Sequence, residues 1–195
     1  MNNSNNLSAD RMFYSLQDLK NQGFSQYRIR RMADTGKLKK LNRFYYENTG
    51  YEGEESDFYY AEAYAPSGVI CLLSAAVHYG LSMYIPDAVD VAIPRKGRIS
   101  TLPQRPRLNI HYFTDERYSL GIAEVWEGKN NYHIYDIEKT VVDVVYYREK
   151  VGIEETKEVL TTYLQRKDRN LNRLLKYAEL MKCSKIMKQY LEVLI

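Results

Sequence analysis

The first fifty residues carry two short helical stripes of apolar positions followed by an alternating stretch. In "YSLQDLKNQG", Leu16 and Leu19 share one face. Ser15 stands where a helix amino terminus needs a hydroxyl acceptor, Asp18 follows three residues on, and Gly23 closes the segment. After Phe24, Ser25 offers a second cap, and Ile29, Met32 and Ala33 recur at the i, i+3, i+4 spacing until Gly36. The pattern predicts two helices meeting across a glycine turn. "KLKKLNRFYY" then reads as two strands, Leu38 to Leu41 and Phe44 to Tyr46, turning at Asn42-Arg43.

Further on the pattern changes character. Residues 49–57 are rich in Gly and acids and read as a linker, with Ser56 capping a helix through Ala63 ahead of Pro66. A helix is expected near Ser67 to Tyr79, strands near Val89 to Ile93, Leu108 to Phe113, Ile122 to Trp126 and Tyr132 to Tyr135, and helices from Asp136 onward. The late stripes, Leu171, Leu174, Leu175 and Ala178, then Ile186, Met187, Tyr190 and Leu191, are read as core faces. The expected fold class is α+β: an N-terminal winged helix-turn-helix at 13–48, then a mixed α+β domain at 58–195 with a small sheet and a helical C-terminal end. Residues 1–12 are expected to form a flexible tail.

Charge sharpens this picture. The chain has 28 Lys and Arg against 25 Asp and Glu, yet residues 1–50 hold nine basic and four acidic residues. Such segmental asymmetry points to a polyanion-binding unit. Turning the second helix by about 100° per residue leaves Tyr27, Arg30, Arg31 and Asp34 away from the apolar stripe, with Gln26 and Arg28 on the flanks. In a helix-turn-helix the second helix enters the major groove, where Arg pairs with guanine and Gln with adenine. Ser25, Gln26, Tyr27, Arg28, Arg30 and Arg31 are thus the expected recognition residues. Lys37, Lys39, Lys40, Asn42 and Arg43 form the expected wing, its cations set to contact phosphates. A second cationic stretch carries Arg95, Lys96, Arg98, Arg105 and Arg107 without an acid among them. It is read either as an added DNA contact or as a solvated loop.

The order of these pieces resembles the AbiEi-type antitoxins of type IV toxin–antitoxin systems, also called abortive-infection proteins. The likeness is carried by the N-terminal unit, by "GVICLLSAAVHYGLS" at Gly68 to Ser82, by "VDVAIP" at Val89 to Pro94, and by "DIEKTVVDVV" at Asp136 to Val145 with its Thr-x-x-Asp element. Where many relatives have Arg-Gly-Val-Tyr in the wing, this chain has Arg43-Phe44-Tyr45-Tyr46. The resemblance implies an antitoxin and transcriptional autorepressor. Its partners would be double-stranded operator DNA and, functionally, a cognate nucleotidyltransferase-like toxin that it counteracts without a stable complex. It implies no enzyme activity.

Other chemistries leave weaker traces. Pro86-Asp87 with Glu127-Gly128-Lys129 spells a nuclease pattern of the Pro-Asp…Glu-x-Lys type, though "EGKNN" reads as a hairpin turn. A non-specific nucleic-acid- or protein-binding adaptor is the other alternative. His78, His111 and His133 are scattered, Cys71 and Cys183 show no ligand or disulfide spacing, and no cofactor or metal is expected. Asp136 is expected to cap a helix, while Asp143 is either a buried hydrogen-bonded carboxylate or a functional one. The longest apolar run is broken by Ser74, His78 and Gly80, and the first ten residues lack a signal pattern, so a cytoplasmic protein without a membrane span is expected.

Overall fold

The computed structural model describes residues 6–99 and 101–194. Its N-terminal part runs β1 (Phe13–Ser15), α1 (Leu16–Asn21), α2 (Gln26–Asp34), β2 (Leu38–Lys40) and β3 (Tyr45–Asn48). Ser15 and Asp18 form the expected capping box, and Arg11 clamps Asp18 at 2.6 Å. Gly23 and Gly36, both at positive φ, terminate the two helices where a side chain would be strained. Leu19, Phe24, Ile29 and Leu38 close a small core with Tyr14, and Leu16 and Met32 pack on its edge. β1 pairs antiparallel with β3 beside β2, giving a three-stranded sheet in the order β1-β3-β2. β1 is an addition to the pattern read from the sequence, too short for alternation to reveal.

The expected tail covers residues 1–12; residues 1–5 lie outside the described residues, and hydrogen bonds hold the chain between Ser8 and Met12. Ser8 donates its backbone N–H to the Tyr14 hydroxyl at 2.9 Å, and the Met12 N–H donates to Asn130 Oδ1 at 2.8 Å. Asn48 donates its side-chain amide to the carbonyls of Ser8 and Arg11. Backbone groups satisfied in this way have no reason to fray.

The remainder contains α3 (Asp57–Tyr64), β4 (Val69–Ile70), α4 (Leu72–His78), β5 (Val89–Pro94), β6 (Leu108–Phe113), α5 (Asp115–Tyr118), β7 (Ile122–Glu127) and β8 (Asn130–Tyr135). Five helices follow: α6 (Ile137–Tyr146), α7 (Arg148–Val151), α8 (Ile153–Gln165), α9 (Leu171–Leu180) and α10 (Ser184–Leu194). The fold is α+β, with a five-stranded mixed sheet in the order β6-β5-β4-β8-β7. The helix expected from Ser67 begins only at Leu72, because Val69 and Ile70 form the sheet's short central strand. Gly68 makes the approach possible: a Cβ there would lie 2.6 Å from Val91.

Met12 and Phe13 share a hydrophobic cluster with Tyr59, Val91 and Ile134, so the N-terminal unit is seated on α3 and the larger sheet. The helical end packs around α6, whose Val141, Val142, Val144 and Val145 are fully buried. Each such side chain contributes roughly 1.5–3 kcal/mol over exposure. Of the stripe residues, Leu174, Ala178 and Met187 join the same cluster and Ile186, Tyr190 and Leu191 pack against it, whereas Leu171 and Leu175 are exposed at its edge instead of forming core. The Lys139 ammonium and the Asp143 carboxylate, both with no exposed side-chain surface, meet at 2.5 Å inside this layer. Lys139 Nζ also lies 4.0 Å from the Tyr135 ring centre and 5.2 Å from that of Phe113. Burial raises the Asp143 carboxyl above the usual carboxylate range, and the neighbouring ammonium pulls it back only in part. Asp136 caps α6 by accepting the Lys139 N–H at 2.8 Å. Cys71 and Cys183 are buried thiols, Cys183 pushed up to about 11 by burial. Among the described residues no helix is long and apolar enough to cross a membrane.

Candidate nucleic-acid interface

Each predicted recognition residue lies at the start or along the outward side of α2. Ser25 caps it, its hydroxyl accepting the Arg28 N–H at 3.2 Å. Ile29 faces the small core, which forces Gln26, Tyr27, Arg30 and Arg31 outward; Tyr27 is 76% exposed. The Arg28 guanidinium lies 4.8 Å above the Phe24 ring, an attachment that Phe24's identity did not announce in the sequence. Tyr27, Arg28, Arg31 and Lys37 line an open cleft of about 900 Å³ together with Leu7 and Thr49. The Thr49 hydroxyl donates to the Gly36 carbonyl at 2.7 Å, which ties the end of the hairpin to the end of α2.

The hairpin carries its cations outward as expected. Lys37, Lys39, Lys40 and Arg43 are exposed; Lys39 pairs with Glu47 at 3.1 Å across the strands, a surface contact of small energy. Arg43 lies 5.5 Å from the Phe44 ring centre. Phe44 is not among the positive-φ residues, so the turn does not require glycine's freedom there.

Asn42, expected beside these cations, is instead engaged within the fold. Its Oδ1 accepts the N–H groups of Phe44 (2.9 Å) and Tyr45 (3.0 Å), and its Nδ2 donates to the Ala63 carbonyl at 2.8 Å. An amide engaged at both ends holds the turn against α3 and has little left to offer DNA. Asn42→Ala should therefore destabilise the fold by about 1–3 kcal/mol, as expected when hydrogen-bond partners are left unmade. Urea titration of the variant checks this, and DNA affinity measured well below its midpoint should change far less than for an outward arginine.

The five-cation stretch divides in space. Arg98 lines a small cleft of about 90 Å³ with Asn42 and Phe44, which places it beside the hairpin tip. Arg105 and Arg107 line a different cleft, with Asp57 and Asp87. The sequence could not show this division, because the turn is more than fifty residues from Arg98 along the chain.

The nuclease pattern is not assembled. Glu127 accepts hydrogen bonds from the hydroxyls of Tyr59 (2.6 Å) and Tyr132 (2.8 Å); burial, then the carboxylate, raises both phenols far above their ordinary range. Lys129 leaves in another direction, to Ser8 Oγ at 2.8 Å and Asp10 at 3.0 Å. Asp87 and Glu127 line separate clefts. The "EGKNN" segment is the predicted turn between β7 and β8. His111 pairs with Asp90 at 2.8 Å, His133 with Glu62 at 3.1 Å, and His78 packs against Tyr79. Among the described residues no group of three or more His, Cys, Asp or Glu is placed to hold a metal. Asp143 proves to be the buried, paired carboxylate of the two readings the sequence left open.

No protein-family model matches the chain, and no curated protein matches it. Among solved structures it is similar to the crystal structure of RV2827C protein from Mycobacterium tuberculosis. That protein is 14% identical, and the match covers 94% of this chain and 76% of that one at a TM-score of 0.44. A likeness so distant carries no argument about function.

Proposed function

We propose that the protein is a sequence-specific double-stranded DNA-binding regulator that acts as the antitoxin and autorepressor of its own operon. The observation that carries DNA binding is the outward face of α2. Gln26, Tyr27, Arg30 and Arg31 stand exposed on a helix whose opposite side is fixed by Ile29, and the cationic hairpin follows immediately. A helix so held can enter a major groove while Lys37, Lys40 and Arg43 lie along the sugar-phosphate backbone, the division of labour of a winged helix-turn-helix. Arg95, Lys96 and Arg98 would lengthen the phosphate contact beyond the hairpin tip. Antitoxin activity toward a nucleotidyltransferase-like toxin, without a stable complex, and a cytoplasmic setting rest on the AbiEi-type resemblance of the sequence.

The test is a titration of the full chain against the DNA upstream of its own gene and against scrambled DNA of equal length, at two salt concentrations. A preference for the native sequence of at least about tenfold, with affinity falling as salt rises, is the expected result. Equal, weak binding to both would replace this reading with a general polyanion-binding adaptor. Loss of toxin protection in cells, with operator binding intact, would separate the antitoxin role from repression.

A further inference from the structure

A second concave site lies on the larger domain, between the amino-terminal ends of β5 and β6. Its volume is about 770 Å³, within the range of roughly 300–1,000 Å³ typical of small-molecule sites. Phe58, Val77, Ile85 and Pro106 supply apolar lining, and Arg105, Arg107, Asp57 and Asp87 supply charge. All four charged residues are exposed, and among the described residues none of their side chains is in a salt bridge or side-chain hydrogen bond. Opposite charges that share one cleft yet stay apart leave room for a ligand carrying both acceptors and donors.

The rim is also set in place. Ser82 donates its hydroxyl to Glu158 Oε2 at 2.6 Å and Met83 its N–H to Oε1 at 3.0 Å, which roots the loop on α8. Beyond that anchor Ile85 stands 86% exposed while lining the cleft. Apolar surface presented in this way at a charged opening suits a flat apolar group lying across it.

We propose that this cleft binds a nucleoside 5′-phosphate. Arg105 and Arg107 take the phosphates, since guanidinium offers paired donors to anionic oxygens. Asp57 and Asp87 accept from ribose hydroxyls or exocyclic amines, and the base lies against Phe58 and Ile85. A free amino acid matches the charges but would leave most of the volume and the apolar lining uncovered. The site does not depend on the DNA-binding reading.

Calorimetric titration of the full chain with ATP, without divalent cations, tests it, with adenosine and inorganic tripolyphosphate as separate probes. Saturable ATP binding is expected, weakened at least about tenfold by Arg105→Ala/Arg107→Ala, while adenosine binding stays as in the wild type. Phe58→Leu should weaken ATP and adenosine together, and Asp87→Asn should do so without disturbing the core that Phe58 adjoins. Arg31→Ala should leave ATP affinity unchanged, which separates this cleft from the DNA-binding face. Tripolyphosphate binding as tightly as ATP, with no response to Phe58→Leu or Asp87→Asn, would reduce the cleft to an anion-binding surface and overturn the proposal. So would the absence of saturable binding by ATP, GTP, CTP and UTP at millimolar concentration.

Discussion

Asp143→Ala is expected to lower the stability of the protein by about 3–5 kcal/mol, the cost typical of removing one member of a buried ion pair. Lys139 would then hold an ammonium with no exposed side-chain surface, beside the rings of Tyr135 and Phe113. The cation–π contacts, worth roughly 0.5–2 kcal/mol, are already present in the wild type and do not replace the lost carboxylate. For a chain of this length the loss corresponds to a midpoint of thermal unfolding lower by roughly 6–20 °C. Scanning calorimetry of the single variant reads it directly.

The pair itself is a poor source of net stability, and this gives a second arm to the same experiment. Two charges taken from water cost several kcal/mol each to desolvate, and among the described residues one oxygen, Asp143 Oδ1, has no hydrogen-bond partner. The double variant Lys139→Met/Asp143→Leu should therefore lie closer to the wild type than Asp143→Ala does. If the double variant were the less stable of the two, the pair would have to be credited with favourable coupling that its buried, half-satisfied geometry does not suggest.

Much of the N-terminal unit was legible because its determinants are local. Ser15 with Asp18, Ser25 before Ile29, and the glycines at 23 and 36 each act within a few residues, so spacing alone located both helices. What the chain concealed depends on contacts distant in sequence. Asn42 read as an exposed wing residue because its partner, the Ala63 carbonyl, lies 21 positions away. Residues 6–12 read as a tail because Asn130, which holds Met12, is 118 positions away. β4 was hidden differently: "VICLL", residues 69–73, is an apolar run, and such a run does not distinguish a buried strand from a buried helix. Lys139 illustrates a third limit. Its i,i+4 spacing to Asp143 is visible in the sequence, but a lysine with no exposed side chain is rare, and nothing local to Lys139 marks it as Asp143's buried partner.

Arg31→Ala should weaken binding to the native operator by roughly 1–3 kcal/mol, about 5- to 150-fold, and reduce discrimination against scrambled DNA at the same time. Arg31 projects from the outward side of α2 and, among the described residues, its guanidinium has no ion pair whose loss would disturb the fold. Lys40→Ala makes the informative contrast. On the exposed side of β2 it is placed to meet phosphate, so its loss should lower affinity for native and scrambled DNA by a similar factor. It should also make the slope of log affinity against log salt shallower by about 0.9. The two signatures are independent, since base readout changes sequence preference and phosphate contact changes salt dependence. If Arg31→Ala altered only the salt slope, α2 would lie along the backbone instead of entering the groove, and the reading face would have to be sought elsewhere.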